Sequence, residues 1–147
     1  MNRVIKFRAM TRNKIWVYGN LIQGESGSCY ICLINKKPIH KNGDAWYIDS
    51  PCYEVMPETV GRFAGFTDKK GVEIYEGDIC KYHKNTSKLL ISYHFEVRYD
   101  DGAFYAYWQR EMMGKQEEYW DLLSQKDMQN IRVVSNVNFK KKQQLKP

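Results

Sequence analysis

Glu76 and Asp78 flank Gly77 in the stretch EIYEGDIC, residues 73–80. A close carboxylate pair could supply a general acid and a general base, provided burial or the neighbouring like charge raises one of the two pKa values. The same residues suit a turn. Gly77 reaches positive φ without a Cβ penalty, Asp78 can accept nearby backbone N–H groups in an Asx-type turn, and Glu76 can stay in water. A turn carboxylate exposed to solvent gains neither burial nor strong repulsion, so the expectation is a turn that launches a strand.

Other candidate groups fare similarly. His94 and Glu96 stand two residues apart in an alternating stretch and share its polar face, where they could hold a metal or exchange a proton. A solvated strand face explains them more simply. His40 and His83 offer no pattern of their own. Cys29 and Cys32 form one C-x-x-C, with Cys52 and Cys80 apart from it. Structural zinc needs a second close pair of ligands, and a redox C-x-x-C needs a strand-to-helix junction. CYICLI, residues 29–34, reads as strand, so reduced thiols packed in strands are expected. Asp100-Asp101-Gly102 is hairpin chemistry. The chain contains no G-x-S-x-G, P-loop, H-E-x-x-H or G-x-G-x-x-G. No enzyme, no cofactor and no metal is the resulting expectation.

Binding chemistry is better represented. Arg3, Lys6, Arg8, Arg12 and Lys14 fall in the first twenty residues with no acid among them, and Lys140, Lys141, Lys142 and Lys146 end the chain. The net charge of +6 therefore belongs to the two ends. With 11 tyrosines, Arg3, Lys6, Arg8, Arg12, Lys14 and Arg62 are candidates for a surface that pairs phosphates and stacks bases. Tyrosine is also an ordinary strand residue, and a lysine run is commonly a solvated tail.

The elements that must position these groups are short strands. VIKFRAM (4–10) alternates, TRNK (11–14) turns, and IWVYGNLI (15–22) returns, with a break expected at Gly19-Asn20. CYICLI follows as a third strand, and 35–45 is a connector. ETVGRFAGF (58–66) is a strand whose Gly61 and Gly65 signal bulges or bends. TDKKG (67–71) turns, and DICKY begins another strand. In 90–108, Ile91, Tyr93, Phe95, Val97 and Tyr99 form one face, Asp101-Gly102 turns the chain, and Phe104, Ala106 and Trp108 share a face on the return. Residues 110–125 place Tyr119, Trp120 and Leu123 at helical spacing, so one short helix is expected near 115–125. A last strand covers 130–139. The pattern is mostly β, a small barrel or sandwich. No run approaches the ~20 apolar residues of a membrane span, and no signal-type apolar region opens the chain. A cytoplasmic protein with no membrane partner is expected.

The string PETVGRFAGFTDKKGVEIYEGDICKY, residues 57–82, resembles the core motif of the YopX family of phage and prophage proteins. IKFRAM (5–10), VYGNL (17–21), VRYDDGAF (97–104) and IRVVSNV (131–137) resemble further family segments, in order along nearly the whole chain. Met10 stands where the family often has Trp, Arg62 where it has Gln, Ala64 where it has Thr and Ser135 where it has Gly. FKKKQQLKP replaces the usual acidic ending. The resemblance implies an SH3-like barrel in the C-terminal part, residues 57–139, joined to an N-terminal β lobe, 1–56, and followed by a basic tail, 140–147. It implies a bacterial host cell and brings no catalytic residues. The expected function is a non-enzymatic binding or oligomeric module whose partner is a protein or a second copy. The alternative is a nucleic-acid-binding accessory protein.

Overall fold

The computed structural model describes residues 4–33, 40–43, 45–47 and 50–139, the side chains of 40–42 and 45–47 excepted. Antiparallel strands make up most of it, and the chain divides into two compact units, Met1–Arg62 and Phe63–Pro147.

The first unit contains β1 (Phe7–Met10), β2 (Trp16–Gln23), β3 (Cys29–Leu33), β4 (His40–Asn42), β5 (Ala45–Tyr47), β6 (Cys52–Val55), a 3-10 turn at Pro57–Thr59 and the start of β7 (Gly61–Thr67). Its strands pair in the order β6-β3-β2-β1, with Gly61 and Arg62 opposite Arg8 and Phe7 on the free side of β1. β4 and β5 pair with each other as a two-stranded sheet. Side chains alternate across the sheet. Ala9, Val17, Ile31 and Val55 are buried together with Phe7 and Leu21 against them. Arg8 and Tyr18 lie opposite each other on the other face. The expected break in β2 is absent. A Cβ on Gly19 would stand 2.1 Å from the carbonyl oxygen of Cys32, so this glycine admits β3 at close range rather than ending the strand. The 3-10 turn is tied to β1 by Thr59, whose hydroxyl accepts the Met10 N–H at 2.8 Å and donates to the Met56 carbonyl at 2.7 Å.

The second unit holds the end of β7, then β8 (Glu73–Tyr75), β9 (Asp78–Asn85), β10 (Leu90–Asp100), β11 (Ala103–Met112), β12 (Lys115–Leu122), a 3-10 turn at Gln125–Asn130 and β13 (Ile131–Asn136). Five strands pair in the order β12-β11-β10-β9-β13. This sheet is open, with β12 and β13 at its edges, so the barrel expected here is not a closed one. Phe95, Val97, Phe104 and Ala106 are buried as their alternation predicts, together with Ala64, Ile74, Cys80, Leu123, Met128 and Ile131. Burying each of the larger apolar side chains contributes about 1.5–3 kcal/mol. Asp101 and Gly102 both take positive φ, the two-residue turn foreseen from their identities.

The expected helix near 115–125 is a strand. β12 pairs with β11 from Met112↔Lys115 to Tyr105↔Leu122. Met113 and Gly114 turn the chain with φ of 52° and 73°, the backbone twist that joins two strands tightly. Trp108 and Tyr119 lie opposite each other with rings 5.3 Å apart and 9° from parallel, while Tyr107 and Trp120 meet on the other face at 4.7 Å. Tyr119-Trp120 thus serves two faces of a ribbon, and cross-strand ring pairing outweighs the helical spacing.

Candidate binding groove and the fate of the candidate residues

The carboxylate at 78 is taken up in the turn that starts β9. Asp78 is buried, at 1% exposure, which departs from the exposed turn carboxylate expected. Its Oδ2 accepts the Tyr75 N–H at 2.8 Å, and Asn136 Nδ2 donates to its Oδ1 at 3.4 Å. Gly77, at φ +84°, donates its N–H to the Val97 carbonyl and accepts the Val137 N–H at 2.9 Å. The role read from the sequence, a turn that starts a strand, holds; burial serves the turn, since a buried carboxylate is retained where backbone donors satisfy it.

Asp68 does the same work and was missed. It is 5% exposed. Its Oδ1 accepts the N–H groups of Lys70 and Val72, and its Oδ2 accepts that of Val133 at 2.9 Å. Val133 stands beside the register shift where β13 slips past β9. The Asp-x-x-Gly spacing of a turn was legible at 68–71, but its long-range partner was not.

His94 is exposed and opposite Lys81. Glu96 is engaged by Arg98 at 3.1 Å, and the Arg98 guanidinium lies 3.4 Å from the Tyr107 ring centroid. Glu96 is therefore part of a charge-and-ring stack. Among the described residues no three of His, Cys, Asp and Glu converge as metal ligands. Cys29 and Cys32, three apart on a strand, point to opposite faces. Cys29 is free and buried. Cys32 is not the reduced thiol expected, for it is bonded to Cys52, its direct neighbour across β3 and β6. Leu33 donates its N–H to the Pro51 carbonyl, so the Cys32/Cys52 position is the non-hydrogen-bonded kind, where side chains approach most closely.

The basic candidates are dispersed over several surfaces. Arg3 and Lys140–Lys142 lie outside the described residues. Lys6 is half-buried. Arg8 is buried, its guanidinium 4.7 Å from the Trp16 ring. Arg62 lies 5.4 Å from the Phe7 ring, and the pairing of Phe7 with Arg62 puts that contact on the face opposite Arg8. Arg12 and Lys14 are exposed on the β1–β2 turn, which is held by the Lys14 N–H on the Thr11 carbonyl and the Ile15 N–H on the Thr11 hydroxyl.

That turn rims a concavity of the first unit of about 640 Å³, lined by Arg12, Ile15, Trp16, Tyr18, Leu33, Tyr53 and Glu54 among others. Ile15, Tyr18 and Tyr53 are between two-fifths and three-fifths exposed, so apolar and ring surface faces water along the groove. One cation and one carboxylate, Arg12 and Glu54, supply opposite charges. Such a lining can orient a ligand and bury its apolar parts.

The YopX protein family model matches residues 6–139. Among solved structures, the crystal structure of protein EF1440 from Enterococcus faecalis is similar, with a TM-score of 0.55 and 22% identity over 92% of this chain and 94% of that one. At that identity the likeness concerns the fold. No curated protein is significantly similar.

Proposed function

The chain belongs to the YopX family, and from that premise we propose that it is a non-catalytic binding module that engages a protein, or a second copy of itself, through the groove of its first unit. The observation that carries this reading is the exposed ring and apolar surface of Ile15, Tyr18 and Tyr53 along one concavity. Surface of that kind gains most when a partner covers it. The reading places the protein in the cytoplasm of a bacterial host, with a phage or prophage origin implied by the family. No helix among the described residues is long and apolar enough to cross a membrane. The same reading takes the second unit as an SH3-like barrel in open form. Support comes from a meander of four strands, a 3-10 turn and a fifth strand that returns to pair with the first.

The test is capture from bacterial cells carrying the phage or prophage, with and without nuclease, using the native chain and a Tyr18→Ser/Tyr53→Ser variant. A defined partner retained by the native chain, resistant to nuclease and lost by the variant, supports the groove. Equal capture by both removes it. Light scattering identifies a second copy as that partner.

A second reading, nucleic-acid binding, has one specific observation in its favour: Arg12 and Lys14 are exposed on the turn that leads into Trp16 and Tyr18. Phosphate pairing beside stacking rings is the required combination. Nuclease-sensitive capture, with affinity falling steeply as salt rises, selects it over the first.

A further inference from the structure

The second unit has a cavity of its own, about 410 Å³, lined by Tyr82, Tyr93, Phe95, Asp121 and Asp127 with apolar neighbours. No Lys or Arg is among its described lining residues. Tyr93 is the centre of the ring cluster. It stacks on Tyr82 at 5.2 Å and packs on Trp108 at 4.8 Å. Asp127 is steadied by the Ser124 hydroxyl, which donates to its Oδ2 at 2.5 Å. Asp121 lies on β12, opposite Ala106.

Ring faces carry negative electrostatic potential and attract organic cations, above all where water is partly excluded. Two carboxylates on the same cavity add to that potential. The same charges favour the protonated Tyr93 hydroxyl: burial pushes its pKa up, and Asp121, Tyr82 and Asp127 add to that in order. Two carboxylates without a third ligand do not make a cage for a metal ion. The remaining occupant that suits both rings and carboxylates is an ammonium or guanidinium on an apolar stem. Its source follows from position. Asp121 and Leu122 of the lining belong to β12, an edge strand of the sheet. An edge strand can accept an extended peptide, whose alternate side chains then enter neighbouring pockets.

We propose that this cavity binds the lysine or arginine side chain of a partner polypeptide. The cavity shares no described lining residue with the groove of the first unit, so Tyr18→Ser/Tyr53→Ser serves as a control that leaves its lining unchanged.

The test uses the full chain and short acetylated, amidated peptides with a central lysine or arginine, against a matched norleucine peptide. Binding is followed by NMR through the ring signals of Tyr82, Tyr93 and Trp108. The lysine and arginine peptides shift these signals and the norleucine peptide binds at least about tenfold more weakly. Asp121→Asn and Asp127→Asn each weaken the charged peptides by several-fold while leaving the backbone spectrum native. Tyr93→Phe, which keeps the ring, retains binding. Equal affinity for the norleucine peptide overturns the proposal, as does full affinity in the double Asn variant. A chain lacking residues 140–147 distinguishes the remaining source of lysine. Unchanged affinity supports a separate partner, and affinity that rises tenfold on removal assigns the cavity to the protein's own tail and overturns the proposal as stated.

Discussion

The carboxylate of Asp68 accepts the backbone N–H of Val133, 65 positions later, at 2.9 Å. One side chain thereby closes its own turn and anchors the last strand at its register shift. Hydrogen bonds to a charged acceptor contribute about 1.5–3 kcal/mol, and stranding buried donors costs a comparable amount. Asp68→Ala is expected to destabilise the protein by about 3 kcal/mol in urea titration. Asp68→Asn, which keeps one acceptor oxygen, should cost about half as much. Hydrogen exchange at the Val133 amide should quicken in both. Native exchange at Val133 in Asp68→Ala would show the bond to be dispensable.

Reducing the Cys32–Cys52 bond should lower stability by about 3 kcal/mol, the chain-entropy value for a loop of this size, the two cysteines being 20 apart in sequence. Thermal melts with and without dithiothreitol measure it. Cys52→Ser should match the reduced protein and lose all response to reductant. A native melt indifferent to dithiothreitol, with no free thiol released, or a variant still sensitive to it, contradicts this assignment.

Two glycines should differ in kind. Gly19→Ala sets a Cβ against the backbone oxygen of Cys32 at 2.1 Å, and backbone cannot move aside cheaply, so a loss of about 3 kcal/mol or more is expected. Gly77→Ala meets two side-chain atoms, a methyl of Val137 at 3.3 Å and Asn136 Nδ2 at 3.6 Å, and pays for its positive φ, about 1–2 kcal/mol. Equal losses in urea titration would mean that the approach of β3 is softer than its geometry.

Met113 is 99% exposed and takes positive φ. Met113→Asn supplies the residue that tolerates this conformation best beside Gly114. A gain of about 0.5–1 kcal/mol in thermal or urea unfolding is expected. Were residues 115–125 helical, no such gain would follow.

Burial, with Asp121, Tyr82 and Asp127 adding to it, pushes the Tyr93 hydroxyl pKa above its ordinary value of 10.0. A group whose pKa is raised on folding contributes fully below the unfolded pKa, and that contribution is lost as pH climbs through the folded one. Stability should therefore hold from neutral pH to about 10 and decline above it. Tyr93→Phe should flatten part of the decline in melts recorded from pH 8 to 11.

Much of this architecture could be read from residue types. Alternation in 90–108 located the core face of β10 and β11, and Asp101-Gly102 located their turn, because period and turn chemistry are local. The turn role of Asp78 was legible for the same reason. Burial of that carboxylate was not, since it depends on Asn136, far along the chain. The strand at 115–122 was obscured because Tyr119 and Trp120 fit a helical stripe as well as two faces of a ribbon, and only their partners Trp108 and Tyr107 decide between these. The cavity around Tyr93 joins four separate segments, none distinctive alone. The basic residues near the N-terminus looked like one patch in sequence, yet β1 alternation sends Arg8 to one face, while Arg62 meets Phe7 on the other.

The bond between Cys32 and Cys52 also makes a covalent ring of everything from one to the other. A protease that cuts anywhere within 33–51 opens that ring without separating the two halves of the molecule. On a denaturing gel the nicked chain would still migrate as one species until a thiol is added, so digestion run in parallel under both conditions maps cleavage inside the ring directly.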